Sequence, residues 1–275
     1  MSPTAEVNLA GAVVPCVAFD LDGTIYFGDT LADGAAHLLD SLERWGVEVI
    51  FFTNNSMKTR AAVVDKLVGM GLPATSDNTY TSGSAVGGYL LERGIDRVAI
   101  VGSEGLVAEL ASGGVRVTQT GGDAQALVVG LVTGFDFSHR PEILDRIPAG
   151  VPLIAANMDM TYPVEGGRLL PGCGAIVRAV ETWIGRPCDQ VVGKPGTFML
   201  DLLCREHGLC RTDVLVVGDS VDSDIAMARA AGCRSVLIDA AGTTGHVGDT
   251  VVVRDLSELH ALLSWPDDRG EGSRA

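Results

Sequence analysis

The sequence is short of positive charge: 20 lysines and arginines face 35 aspartates and glutamates in 275 residues, a net charge of −15. So acidic a chain lacks the basic face that nucleic acid or an anionic membrane requires, and neither is expected as a partner. Long apolar runs are missing too, none approaching the roughly 18 residues that cross a bilayer. The opening MSPTAEVNLAGAVV has no positive residues ahead of its apolar segment, as a signal peptide would. The six cysteines (Cys16, Cys173, Cys188, Cys204, Cys210, Cys233) form no CxxC and keep no regular spacing. Most sit within apolar stretches, which suits reduced core thiols in a cytoplasmic protein. The five histidines (His37, His139, His207, His246, His260) are scattered, leaving no Ser/His/Asp set for acyl chemistry. Lysine is scarce, with Lys58, Lys66 and Lys194 set against 17 arginines.

What the chain does have is core-forming material, 47% apolar against 20% charged residues, enough for one large domain or two smaller ones. Short Val/Ile/Leu/Ala runs predict strands at 14–20, 48–53, 97–101, 126–132, 151–156, 189–192, 213–218 and 234–238. Helical patterns lie between them at 33–46, 58–71, 83–93, 104–112, 139–147, 173–185, 196–208 and 222–232. The alternation predicts an α/β fold, a Rossmann-like parallel sheet covered by helices on both faces with right-handed crossovers.

Ligands of such sheets gather beyond the carboxyl ends of the strands. Four polar clusters follow apolar runs: DLDGT after 14–19, TNNS after 48–52, GKPG after 189–192 and GDSVDSD after 213–217. The stretch 83–187 holds strands and helices but no comparable cluster, so it is expected to be an inserted α/β domain. The core would then comprise 1–82 and 188–265, carrying all four clusters on one sheet. The small, charged, proline-led tail 266–275 is expected to be disordered.

Asp20 and Asp22 stand two apart, so in an extended segment they share a side. Adjacent carboxylates need a shared proton or a hard cation between them. Asp219 leaves its strand as Asp20 leaves its own, so the two are candidates to ligate one Mg²⁺. Asp224 is a direct or supporting ligand, and Asp222 reads as the cap of helix 222–232. Thr53, Asn54 and Asn55 offer a hydroxyl, amides and successive N–H groups for phosphate-like oxygens, or alternatively a simple turn before helix 58–71. Lys194, between glycine and proline after a buried strand, offers a compact positive charge for a phosphate or a crowded carboxylate, or alternatively is a chance surface lysine. Carboxylates, a metal, oxyanion donors and one cation together fit phosphoryl transfer.

FDLDGT, TNNS, GKPG and GDSVDSD, in this order, resemble the four motifs of the haloacid dehalogenase (HAD) superfamily. DGTIYFGDTLADGAAHLL, TNNSMKTR and ANMDMTYP…LLPGCGAI look like its subfamily IIA, which carries a large α/β cap and includes 4-nitrophenylphosphatase-like, phosphoglycolate and pyridoxal-phosphate phosphatases. The resemblance implies that Asp20 is the nucleophile forming an aspartyl-phosphate and that Asp22 is the general acid and base. It implies that Asp20, the Asp22 carbonyl, Asp219 and Asp224 hold Mg²⁺. Thr53, Asn54, the Asn55 backbone and Lys194 would bind the phosphoryl oxygens. The substrate would be a small phosphorylated metabolite, chosen by a cap segment from Asn157 through Asp159 to Tyr162, and relatives often form a homodimer through that cap. Met158 stands where many relatives have a proline or polar residue. Tyr162 stands where some have a substrate-contacting histidine, or is an ordinary packed aromatic. The alternatives are a phosphomutase on the same fold, whose relatives carry a small helical cap earlier in the chain, and a non-catalytic phosphate-ligand binding protein. Dehalogenation does not need Asp22.

Overall fold

Valine, isoleucine, leucine and phenylalanine fill the strands, and burial on both faces is what draws them into parallel sheets. The computed structural model describes residues 7–9, 12–118, 122–135, 150–164, 168–242 and 245–263. The chain divides into two compact units, the first made of Met1–Phe52, Leu67–Asn78 and Cys204–Ala275, the second of Thr53–Lys66 and Thr79–Leu203.

In the first unit the strands run in the order Gly245–Val247, Thr250–Val253, Arg234–Ile238, Val214–Gly218, Cys16–Phe19 and Glu48–Thr53. All these neighbours pair parallel except the edge strand Gly245–Val247, which is antiparallel. Cys16–Phe19 lies between Val214–Gly218 and Glu48–Thr53 and is wholly buried. Its register sets Phe19 opposite both Val217 and Phe51, so the chain leaves the sheet at the same level after each strand. Just beyond, the short hairpin Tyr26–Phe27/Thr30–Leu31 projects from the first motif. The helix Ala35–Arg44 buries Leu38, Leu39 and Leu42 and packs against Leu256–Leu262.

The second unit holds a five-stranded sheet in the order Gln190–Val191, Leu153–Ala155, Ala126–Val129, Arg97–Val101, Arg116–Val117, every pairing parallel. The helices Ser82–Glu92, Glu104–Ser112 and Cys173–Ile184 belong to it. Thr81 and Ser84 cap the first with reciprocal hydrogen bonds, and Ser103 caps the second. The hairpin Thr161–Val164/Arg168–Pro171 forms a small sheet of its own.

The α/β class and each expected strand appear, with ends shifted by a few residues. The four clusters do not share one sheet, however. GKPG follows Gln190–Val191, which pairs with Leu153–Ala155 of the second unit, a choice of neighbour that the apolar pattern leaves undetermined. The expected helix 222–232 begins instead as a π-helical turn, Val221–Ile225, continuing as Ala226–Ala231. The expected helix 139–147 and the tail 266–275 lie outside the described residues. No helix among the described residues is long and apolar enough to cross a membrane. The cysteines are free thiols, with Cys16, Cys173 and Cys204 buried and Cys210 exposed. Burial pushes the Cys173 thiol up to about 12, which keeps it protonated.

Candidate active site

Asp20 is the first residue after the buried strand Cys16–Phe19. Its N–H still follows the ladder, donating to the Val217 carbonyl at 2.8 Å, so its position is set by the core sheet. The chain then turns tightly: the N–H groups of Thr24, Ile25 and Tyr26 all point to the Leu21 carbonyl, and that of Gly23 to the Tyr26 carbonyl. Gly23 adopts φ +93°, and a Cβ there would lie 2.3 Å from Asp219 Oδ2. Only glycine permits both the left-handed turn and the carboxylate's approach. Gly218 makes room for Asp224 without a left-handed turn: that carboxyl carbon would be 2.2 Å from an added Cβ.

These approaches bring ligand oxygens of Asp20, Asp219 and Asp224 within 4.8 Å of one another. Asp20 and Asp224 are buried, while Asp219 is exposed. Two like charges about 4 Å apart repel by about 4 kcal/mol in a surface-like dielectric, and three carboxylates make three such pairs. A hard divalent cation relieves that repulsion, and a donor set made only of carboxylate oxygens suits magnesium. Asp224 Oδ2 also accepts the Ser220 N–H at 3.1 Å, which aims the carboxylate. The residue capping the turn is Ser220, whose side chain accepts the Ser223 N–H. Asp222, expected in that role, is exposed, because the cap falls one residue before the π-helical turn begins.

Asp22 points out to solvent and is not one of the three clustered carboxylates. Its Oδ2 accepts the hydroxyl of the buried Tyr26 at 3.1 Å. Burial first, then the Asp22 charge, hold the Tyr26 phenol well above its ordinary pKa, so it stays a donor. Sequence reading passed over Tyr26, although its place four residues after Asp22, in a turn, was the available sign.

In the second unit, Thr53 is buried and its Oγ1 accepts the Asn55 N–H at 3.1 Å, which leaves the hydroxyl hydrogen to donate elsewhere. That bond occupies the Asn55 backbone group expected on phosphate. Asn55 Oδ1 accepts the N–H groups of Met57 and Lys58 at 2.9 and 3.2 Å, so this side chain holds the turn before the helix Arg60–Gly69. The Asn54 carboxamide is bonded to Lys194 and Asp159, so a phosphate contact from Asn54 would fall to its N–H. Lys194 is 1% exposed, rare for a lysine. Asn157 is buried and donates to the Asn54 carbonyl, and Tyr162 is half-buried. Ser82, unnoticed in the sequence, donates from Oγ to the same carbonyl at 2.8 Å.

Comparison with known proteins identifies the family. Residues 17–116 match the model of the haloacid dehalogenase-like hydrolases, and 191–259 match a second HAD-hydrolase-like model. The human glycerol-3-phosphate phosphatase is 32% identical over 254 residues, covering 82% of this chain and 79% of its own. Among solved structures, the p-nitrophenyl phosphatase from Archaeoglobus fulgidus is similar with a TM-score of 0.82 and 29% identity, over 90% of this chain and 98% of that one. The glycerol phosphate phosphatase of Mycobacterium tuberculosis, in complex with magnesium, gives 0.77 and 32% over 90% and 77%. With its motif residues, its fold and these likenesses, the chain belongs to the phosphatases of the haloacid dehalogenase-like hydrolase family.

Proposed function

We propose that the chain is a Mg²⁺-dependent phosphatase that hydrolyses a small phosphate monoester through a phosphoryl group carried on Asp20. The observation that carries this reading is the cluster of Asp20, Asp219 and Asp224, two of them buried, beside an acid, Asp22, held by Tyr26. An Asp20 oxygen attacks phosphorus, forming the acyl phosphate as the ester P–O bond breaks. Asp22 gives its proton to the departing oxygen, then takes one from the water that attacks the acyl phosphate, releasing phosphate and restoring Asp20. The Thr53 hydroxyl, the Asn54 N–H and the Lys194 ammonium bind the phosphoryl oxygens. Bound by Asp20, Asp219, Asp224 and the Asp22 carbonyl, Mg²⁺ would offset the negative charge of phosphate and carboxylates. It would also resolve the problem of an anionic substrate in an acidic protein.

Residues 83–187 are proposed as the substrate-selecting cap of a core formed by 1–82 and 188–265, with Tyr162 as a leaving-group contact. Two of the similar proteins are named for glycerol phosphates, which favours a polyol phosphate over a nucleotide or cofactor phosphate. The same reading makes the protein a cytoplasmic enzyme, with a homodimer through the cap as the assembly to test. Release of inorganic phosphate from a panel of glycerol, glycolate, hexose, nucleoside and pyridoxal phosphates, with Mg²⁺ and with EDTA, tests it. The expected outcome is Mg²⁺-dependent release with kcat/KM of about 10⁴ M⁻¹s⁻¹ or more for a polyol phosphate. Phosphate moved to an acceptor without release would indicate a mutase, and binding without turnover a non-catalytic protein.

A further inference from the structure

Asn54 stands in the expected phosphate-binding turn, yet its side chain is turned into the protein. Its Nδ2 donates to Asp159 Oδ2 at 2.9 Å and to the Lys194 carbonyl at 3.0 Å. Its Oδ1 accepts the Lys194 N–H at 2.9 Å. A carboxamide offers two N–H donors and one oxygen, so each is engaged. The Asn54 backbone carbonyl accepts from Asn157 Nδ2 at 2.7 Å and from Ser82 Oγ at 2.8 Å. The Asp159 N–H donates in turn to Asn157 Oδ1 at 3.1 Å. The residues converging on Asn54 come from 28 to 140 positions away in sequence.

We infer that Asn54 and Asp159 are positioning residues: their amide–carboxylate pair fixes the Lys194 backbone on both its N–H and C=O sides, and so sets where the buried ammonium reaches. Lysine's stem has four flexible carbons, so the ammonium is only as well placed as the backbone it grows from. This replaces the substrate contacts expected of the Asn54, Asn157 and Asp159 side chains. It rests on Lys194 being the phosphoryl-binding cation proposed above.

Asn54→Asp keeps the shape and the oxygen facing the Lys194 N–H, but sets an oxygen against both Asp159 and the Lys194 carbonyl. Adding Asp159→Asn returns a donor to the pair, while the Lys194 carbonyl still faces an oxygen. With 4-nitrophenyl phosphate, Asn54→Asp is expected to lower kcat/KM by about 10²-fold and to weaken inhibition by inorganic phosphate. The double variant is expected to recover about tenfold over Asn54→Asp alone. If Asn54 touched phosphate, the new carboxylate would repel it whatever stood at 159. A double variant no better than Asn54→Asp alone therefore overturns the inference. Should Asn54→Asp fail to fold by circular dichroism, Asp159→Asn and Asp159→Ala separate the readings. Asparagine keeps an acceptor oxygen and should stay within about threefold, while alanine loses about tenfold or more on both 4-nitrophenyl phosphate and glycerol phosphate. A loss confined to glycerol phosphate makes Asp159 a substrate contact and overturns the pair. Failure of the phosphatase reading looks different, since the wild type then turns over neither ester.

Discussion

At the scale of single residues, the proposed proton transfer depends on how the exposed carboxylate of Asp22 is aimed. Tyr26 holds one of its oxygens at 3.1 Å from a phenol that burial keeps protonated. A hydrogen bond to a charged carboxylate contributes about 1.5 to 3 kcal/mol to stability, less than the margin of a typical domain, so Tyr26→Phe should fold. Its effect should appear in the chemistry and depend on the leaving group. An alkoxide needs a proton as it departs, and general acid catalysis contributes about 10² to 10⁴ in rate, whereas 4-nitrophenolate leaves unaided. Tyr26→Phe is expected to slow glycerol phosphate hydrolysis by about 10-fold or more while changing 4-nitrophenyl phosphate turnover by less than about threefold. Steady-state kinetics on the two esters decide it, and equal losses would mean that Tyr26 serves only the turn.

Between elements, the contact of Ala35–Arg44 with Leu256–Leu262 carries the clearest pH dependence. The His260 ring packs 4.4 Å from that of His37, edge to face, and stacks on Trp45 at 5.8 Å, with Nε2 3.0 Å from Ser41 Oγ. Burial, then His37 and Arg44, lower the His260 pKa below its ordinary 6.5. The unfolded chain thus binds this proton more readily than the folded one, and stability is lost as pH falls through about 6.5 and below. Melting curves between pH 7.5 and 5.5 should show a falling Tm, with a shallower slope in His260→Gln. The same slope in both would refute the assignment. Elements of this kind were only partly readable in the sequence. Runs such as VVPCVAFD and VLVVGD announced buried strands because β-branched residues stop at an acid or glycine. Nothing in QVVG said that it would pair with Leu153–Ala155, because parallel partners are chosen by long-range packing. The two-residue strands of the Tyr26–Leu31 hairpin were too short to show a period. The carboxylates of the site were readable because acids after apolar runs need a reason. The Asn54 bonds were not, since a polar turn looks alike whether its amides face a ligand or the protein.

For the molecule as a whole, the proposed site residues are distributed over the sequence of both compact units. Asp20, Asp22, Asp219 and Asp224 belong to one unit, and Thr53, Asn54 and Lys194 to the other. On the proposed reading the useful positive charge would lie in one buried lysine and a Mg²⁺ ion, and removal of either should be far more damaging than loss of any surface arginine. The central claim is that Asp20 attacks phosphorus in a site that Mg²⁺ completes. The most direct measurement is phosphate release from 4-nitrophenyl phosphate by wild type with Mg²⁺, wild type with EDTA, and Asp20→Asn with Mg²⁺. Asparagine keeps the shape and removes the nucleophile, so the account predicts turnover in the first sample and a loss of about 10³-fold or more in the other two. Equal turnover by wild type and Asp20→Asn would contradict it.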